Sequence, residues 1–127
     1  MKIVATSIFV EDQERARDFY TEKLGFELKH DLDMGGAKWL TVTEPNSDNP
    51  VEIVLEPNAH PVAKNYQLGL FNDGIPVTMF ATSNLAEEYE ALVARGVQFT
   101  TEPKAVGDIK LAVFDDTCGN LIQLIEQ

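Results

Sequence analysis

The chain has 127 residues, with 21 Asp and Glu against 10 Lys and Arg, a formal net charge of −11, 44% hydrophobic residues and one cysteine. This length fits one domain, or two half-domains that fold together, and needs no covalent staples; Cys118 has no partner for an internal disulfide. The charge repels phosphate backbones and anionic lipid surfaces, so nucleic-acid and membrane partners are excluded and the acidic surface reads first as an aid to solubility.

Residues 3–10 alternate as a strand, with Ile3, Ala5, Ser7 and Phe9 on one face and Val4, Thr6, Ile8 and Val10 on the other. The segment is too short, and too soon followed by Glu11 and Asp12, to read as a signal peptide. No apolar stretch approaches the roughly 20 residues of a membrane helix, and the expected location is cytoplasmic. Asp12 is a plausible N-cap for a helix whose face carries Ala16, Phe19, Tyr20 and Leu24, and Gly25 stops it. Strands follow at 26–32, 37–43 and 51–56, giving the order β-α-β-β-β.

Residues 58–74 read as a linker of Pro, Asn, Gly and scattered aromatics, long for a loop inside one domain. The order then recurs. Residues 75–82 form a strand, and Asn84 caps a helix marked by Leu85, Tyr89, Leu92 and Val93 that ends at Gly96. Further strands are expected at 97–101, 109–114 and 120–126. The predicted organisation is one α+β domain of two βαβββ modules, residues 1–57 and 75–127.

Two segments carry a resemblance. They are Ile8-Phe9-Val10-Glu11-Asp12 with the following Ala16-Arg17-Asp18-Phe19-Tyr20-Thr21-Glu22-Lys23-Leu24-Gly25-Phe26, and the closing run from Phe114-Asp115-Asp116-Thr117-Cys118-Gly119-Asn120 into a final strand. In both, the chain resembles the vicinal oxygen chelate superfamily, which includes glyoxalase I, extradiol dioxygenases, fosfomycin resistance enzymes and bleomycin-binding proteins. Thr117 and Cys118 stand where that family usually has Pro and Asp. The resemblance implies eight strands curled into an incompletely closed barrel around a cavity, and a homodimer.

Enzymes of that family hold a divalent metal with side chains from four strands. Carried over one at a time, the positions fall on Ala5, Val54, Val77 and Gln123. Three are aliphatic and cannot coordinate a metal, and one amide cannot hold an ion alone, so the expectation is no metal and no other cofactor. A rearranged site would have to use Gln123 with Glu52 or Glu56, which share a strand face with Val54. The competing reading leaves both glutamates solvated at strand ends, and carboxylates are seldom buried unpaired.

The remaining chemistry is sparse. His30, between Lys29 and Asp31, is expected to be exposed, and His60 to lie in a surface turn of the linker. Cys118 reads as a turn residue, since neighbouring carboxylates disfavour a reactive thiolate. Trp39, Phe71, Phe80, Met79, Phe99 and Phe114 are expected mostly in the core. Strand parity gives an inward set of Ala5, Ser7, Phe9, Val54, Val77, Met79 and Gln123, apolar with one amide. Asn65, Tyr66, Gln67, Phe71 and Asn72 are further candidates to touch a ligand.

Such a lining suits binding a small organic molecule, with a cationic one favoured by the net charge, better than activating an oxyanion. The leading expectation is a metal-free binding protein of the bleomycin-resistance type. The alternative is a metal-dependent lyase, isomerase or dioxygenase with the rearranged site, in which the metal acts as a Lewis acid. A regulatory subunit without turnover is the third.

Overall fold

Both N-caps form as the sequence predicts: Asp12 accepts from the Arg15 backbone N–H and Asn84 from that of Glu87. In this computed structural model, which describes residues 1–127, the chain runs β1 (Ala5–Val10), α1 (Gln13–Asp18), β2 (Glu27–Asp33), β3 (Lys38–Thr43) and β4 (Glu52–Pro57). It continues through α2 (Pro61–Asn72), β5 (Thr78–Thr82), α3 (Leu85–Ala94), β6 (Gln98–Val106), β7 (Ile109–Asp115) and β8 (Leu121–Glu126). The strands form two four-stranded sheets of matching order, β1-β4-β3-β2 and β5-β8-β7-β6, rather than one closed ladder. In each, the first and last strands of the repeat pair in parallel and the rest are antiparallel. This is the α+β architecture that the resemblance implies.

The two helices of the repeat differ by one residue. Gly25 follows Asp12 by thirteen positions and Gly96 follows Asn84 by twelve. The extra residue is absorbed by a π-helical turn, Phe19–Lys23, that continues α1. Accordingly, the closing bond spans six residues in the first helix, from Phe26 N to Tyr20 O, and five in the second, from Val97 N to Leu92 O. Gly25 and Gly96 sit at φ values of 84° and 93°, the left-handed conformation that ends a helix without a Cβ clash.

The chain divides into two compact units, Met1–Lys64 and Asn65–Gln127. In the first, α1 packs on one face of the sheet, where Ile8, Val10, Leu40, Val42 and Leu55 meet Ala16, Phe19 and Tyr20 in the core. In the second, Tyr89 of α3 stacks edge-on against Phe99 at 4.7 Å, and Phe99 against Phe114 at 5.6 Å. Ala112, Ile122 and Leu124 complete that core.

The segment read as a linker is largely α2. Pro61 opens it, where a missing N–H costs nothing, and His60 Nδ1 accepts from the Val62 N–H at 3.1 Å. His60 lies in an exposed bend, as expected, and caps the helix that follows. Only Ala63 and Gln67, one turn apart, are buried on α2, and a stripe that narrow gives almost no periodic signal. The boundaries also move: β5 begins at Thr78 rather than 75, and β6 extends to Val106.

Candidate functional site

Each sheet turns one face to its helix and leaves the other without one. On that second face the strand registers place the candidate residues in rows. In the first unit Ala5 stands beside Glu52, Ser7 beside Val54 and Phe9 beside Glu56 across the parallel β1–β4 pair. Val54 in turn pairs with Thr41 of β3, and Thr41 with His30 of β2, so Ser7, Val54, Thr41 and His30 form one row across all four strands. In the second unit Met79 pairs with Gln123, Gln123 with Val113, and Val113 with Thr101, which is the matching row. Val77 donates its N–H to Leu121 O, one step before that row begins. Ala5, Ser7, Phe9, Val54, Glu52 and Glu56 therefore share one face of the first sheet, and Val77, Met79 and Gln123 one face of the second.

Glu52 departs from the expectation of a solvated strand end. Its side chain is 18% exposed, with Lys29 Nζ at 3.5 Å from Oε2 and His30 Nε2 at 3.6 Å from Oε1. His30, its side chain 40% exposed, thus stands beside a carboxylate. The cause is local. The β2–β3 register slips between Leu28 and His30, and such a bulge sets two successive residues against one on the partner strand. Lys29 and His30 can then both reach Glu52. Thr41 is wholly buried, and its Oγ1 has no hydrogen-bond partner; Glu52 Oε1 has none either. Trp39 and Met79, expected mostly in the core, are 41% and 58% exposed. Trp39 pairs with Leu32, also exposed, two residues from Thr41 on the same face.

Sequence reasoning missed His30, Thr41 and Trp39 on this face. The alternation of Trp39, Thr41 and Thr43 with Leu40 and Val42 carries the signal for two of them, whereas the bulge that turns His30 inward leaves no trace in residue type.

Cys118 and Gln67 belong to a separate polar cluster in the second unit. The Asp116 carboxylate accepts from the Cys118 and Asn120 backbone N–H groups at 2.8 and 3.0 Å and from Asn120 Nδ2 at 2.8 Å. Gln67 Nε2 donates to Cys118 O at 3.0 Å and Asn120 Oδ1 at 3.1 Å, tying α2 to the β7–β8 turn. All four residues are buried, so Cys118 is a wholly enclosed member of that turn and Gln67 is engaged by it. Of the other α2 candidates, Asn65, Tyr66 and Asn72 are exposed and Phe71 half-buried.

This fold, with two matched sheets each built as β-α-β-β-β, is that of a known class. The chain belongs to the glyoxalase/bleomycin resistance protein/dioxygenase superfamily, whose family model matches residues 2–124. Among its relatives, the uncharacterized protein YurT of Bacillus subtilis (strain 168) is 53% identical over 127 residues, covering 100% of both chains. Among solved structures, UcmS2 is 34% identical with a TM-score of 0.85, covering 100% of this chain and 98% of that one. TnmS3, an antibiotic binding protein from Streptomyces sp. CB03234, is 28% identical with a TM-score of 0.77, covering 99% and 95%.

The metal of the family's enzymes does not fit these residues. Ala5, Val54 and Val77 offer no lone pair, and no group of three or more His, Cys, Asp or Glu side chains gathers at metal-binding range. Of the rearranged set, Glu52 is already engaged by Lys29 and His30.

Proposed function

We propose that this chain is a metal-free binding protein for a small organic molecule, taken up on the helix-free sheet faces. The observation that carries the reading is the donor set. Aliphatic side chains at Ala5, Val54 and Val77 remove Lewis-acid chemistry from the positions where the family's enzymes place it. The antibiotic-binding role of TnmS3 supports the same reading, because that protein shares the fold over nearly its whole length. The helix-free face of the first sheet combines apolar area (Phe9, Trp39, Leu32) with a few polar groups, the composition that binds organic ligands and fixes their orientation. Binding without turnover is the activity this reading assigns. A homodimer is the assembly assigned, since the edge strands β1, β2, β5 and β6 offer unpaired backbone for a second copy to cover.

The test is elemental analysis of the purified protein, followed by ligand titration in excess EDTA. Substoichiometric metal and binding that survives EDTA are the expected results. One equivalent of tightly held divalent metal, or affinity abolished by EDTA and restored by Zn²⁺ or Mn²⁺, overturns the reading. Sedimentation at several concentrations reports the dimer.

A further inference from the structure

The ladder between β3 and β4 ends early. The two strands pair at Val42–Ile53 and Thr41–Val54 and no further, whereas β7 and β8, their counterparts in the second unit, pair over five positions from Asp115–Leu121 to Leu111–Ile125. Beyond the last pair of the first sheet, one side chain takes up the backbone groups. Gln13 Nε2 donates to Leu55 O and to Lys38 O, each at 2.9 Å, and Gln13 Oε1 accepts from the Lys38 N–H at 3.0 Å. A primary amide carries donors and an acceptor together, so it can stand in for a peptide group between two strands. Residue type supplies the reason for the break. A continued register would set Lys38 opposite Pro57, which has no N–H to give to Lys38 O. The second unit has Glu126 where the first has Pro57, each closing the parallel pairing of its sheet. It has the buried Leu85 where the first has Gln13, each one residue past its helix N-cap. On the helix-free face, the continued register would bring Trp39 opposite Glu56, as Leu111 is opposite Ile125 in the second sheet.

We propose that Gln13 is a positioning residue: its amide is a wedge that holds the end of β3 off β4 and so sets where Trp39 stands relative to Glu56. The inference deepens the binding reading above, since both residues lie on the face taken as the binding surface, but its test needs no ligand and the two can fail separately. The amide binds Lys38 at both its N–H and its C=O, which fixes the backbone orientation of the residue just before Trp39. Its third bond ties that point to β4 across the width of a side chain rather than at the about 4.8 Å of paired strands. Ion pairs of Asp31 with Arg17 and Lys38 add a second tie at this end of the β2–β3 hairpin, but pairs so open to solvent are weak, and the amide dominates.

Hydrogen exchange followed by NMR on the intact protein, read together with the emission of the single tryptophan, Trp39, tests the wedge. In the unaltered protein the Gln13 side-chain amide protons exchange at least about tenfold more slowly than those of the exposed Asn72. Gln13→Leu speeds exchange of the Lys38 backbone N–H at least about tenfold and moves Trp39 emission to longer wavelength. Gln13→Leu combined with Pro57→Glu installs the second unit's residues and closes the ladder: Lys38 protection returns, while Trp39 emission stays away from its original position. Equal exchange of the Gln13 and Asn72 amides overturns the wedge, and this comparison does not depend on how any variant folds. Unchanged Lys38 exchange and Trp39 emission in Gln13→Leu also overturn it. So does a double variant in which Lys38 stays unprotected, or one in which Trp39 emission returns along with Lys38 protection, because the amide would then only fill space.

Discussion

The two sheets share strand order, ladder directions and helix placement, yet their helix-free faces differ in chemistry. The central row of the first is Ser7, Val54, Thr41 and His30, with Glu52 beside it; that of the second is Met79, Gln123, Val113 and Thr101. The helix-packed faces are by contrast nearly interchangeable in type: Ile8, Val10, Leu40, Val42 and Leu55 against Ala112, Phe114, Ile122 and Leu124. The faces that bury against a helix are held to apolar residues by the folding of each unit. The faces without a helix are not held in this way, and the first carries the polar groups Thr41, His30 and Glu52. Buried hydroxyl and carboxylate oxygens lacking donors are a cost that a sequence chosen for stability alone would not retain.

The comparison can be broken first on the helix-packed faces, where the largest effects are expected. Leu40→Ala in the first unit should cost about 2–5 kcal/mol and Phe114→Ala in the second about 3–5 kcal/mol, read by denaturant unfolding. A loss below about 1 kcal/mol in either would show that the two cores are not equivalent. The helix-free faces should respond asymmetrically. Val113→Thr places a hydroxyl at the position matching Thr41 and should cost about 1–3 kcal/mol. Thr41→Val removes the orphaned hydroxyl and should be neutral or stabilise by up to about 1 kcal/mol. Destabilisation by Thr41→Val would mean that the hydroxyl has a partner in solution, and the contrast between the faces would dissolve.

The smallest effects are expected from one carboxylate in each unit. Asp31 is held below the ordinary aspartate range by Lys38, with Arg17 adding to it against the opposing effect of burial. Glu126 is lowered by the Leu85 backbone N–H at the start of α3, with Lys110 assisting. Since both folded-state values are depressed, each group's contribution is present above the ordinary carboxylate range near pH 4 and is lost as pH falls through the depressed value. Thermal melts from neutral pH to about pH 3 should therefore steepen on the acid side, and Asp31→Asn or Glu126→Gln should each flatten that limb slightly. Equal flattening would place the two units on the same footing in acid; a response from one alone would separate them.

Most of the architecture was legible because it rests on local rules. Asp12 and Asn84 announce helix starts through side-chain oxygens that can reach a backbone N–H, and Gly25 and Gly96 announce stops through a conformation that few other residues adopt. Strand alternation grouped Ala5, Ser7 and Phe9 correctly on one face. Helix α2 was not legible, because burial of only Ala63 and Gln67 leaves no stripe and its anchors, Cys118 and Asn120, lie some fifty residues along the chain.

The sequence by itself therefore determined the repeated module, the family and the lack of ligating side chains at Ala5, Val54 and Val77, all of which depend on residue type and spacing. Only the tertiary structure decided that Lys29 and His30 converge on Glu52, that Thr41 is buried without a partner, and that Trp39 is half open to solvent. These follow from strand register and one bulge, which pairing between distant segments sets and which residue identity alone does not encode.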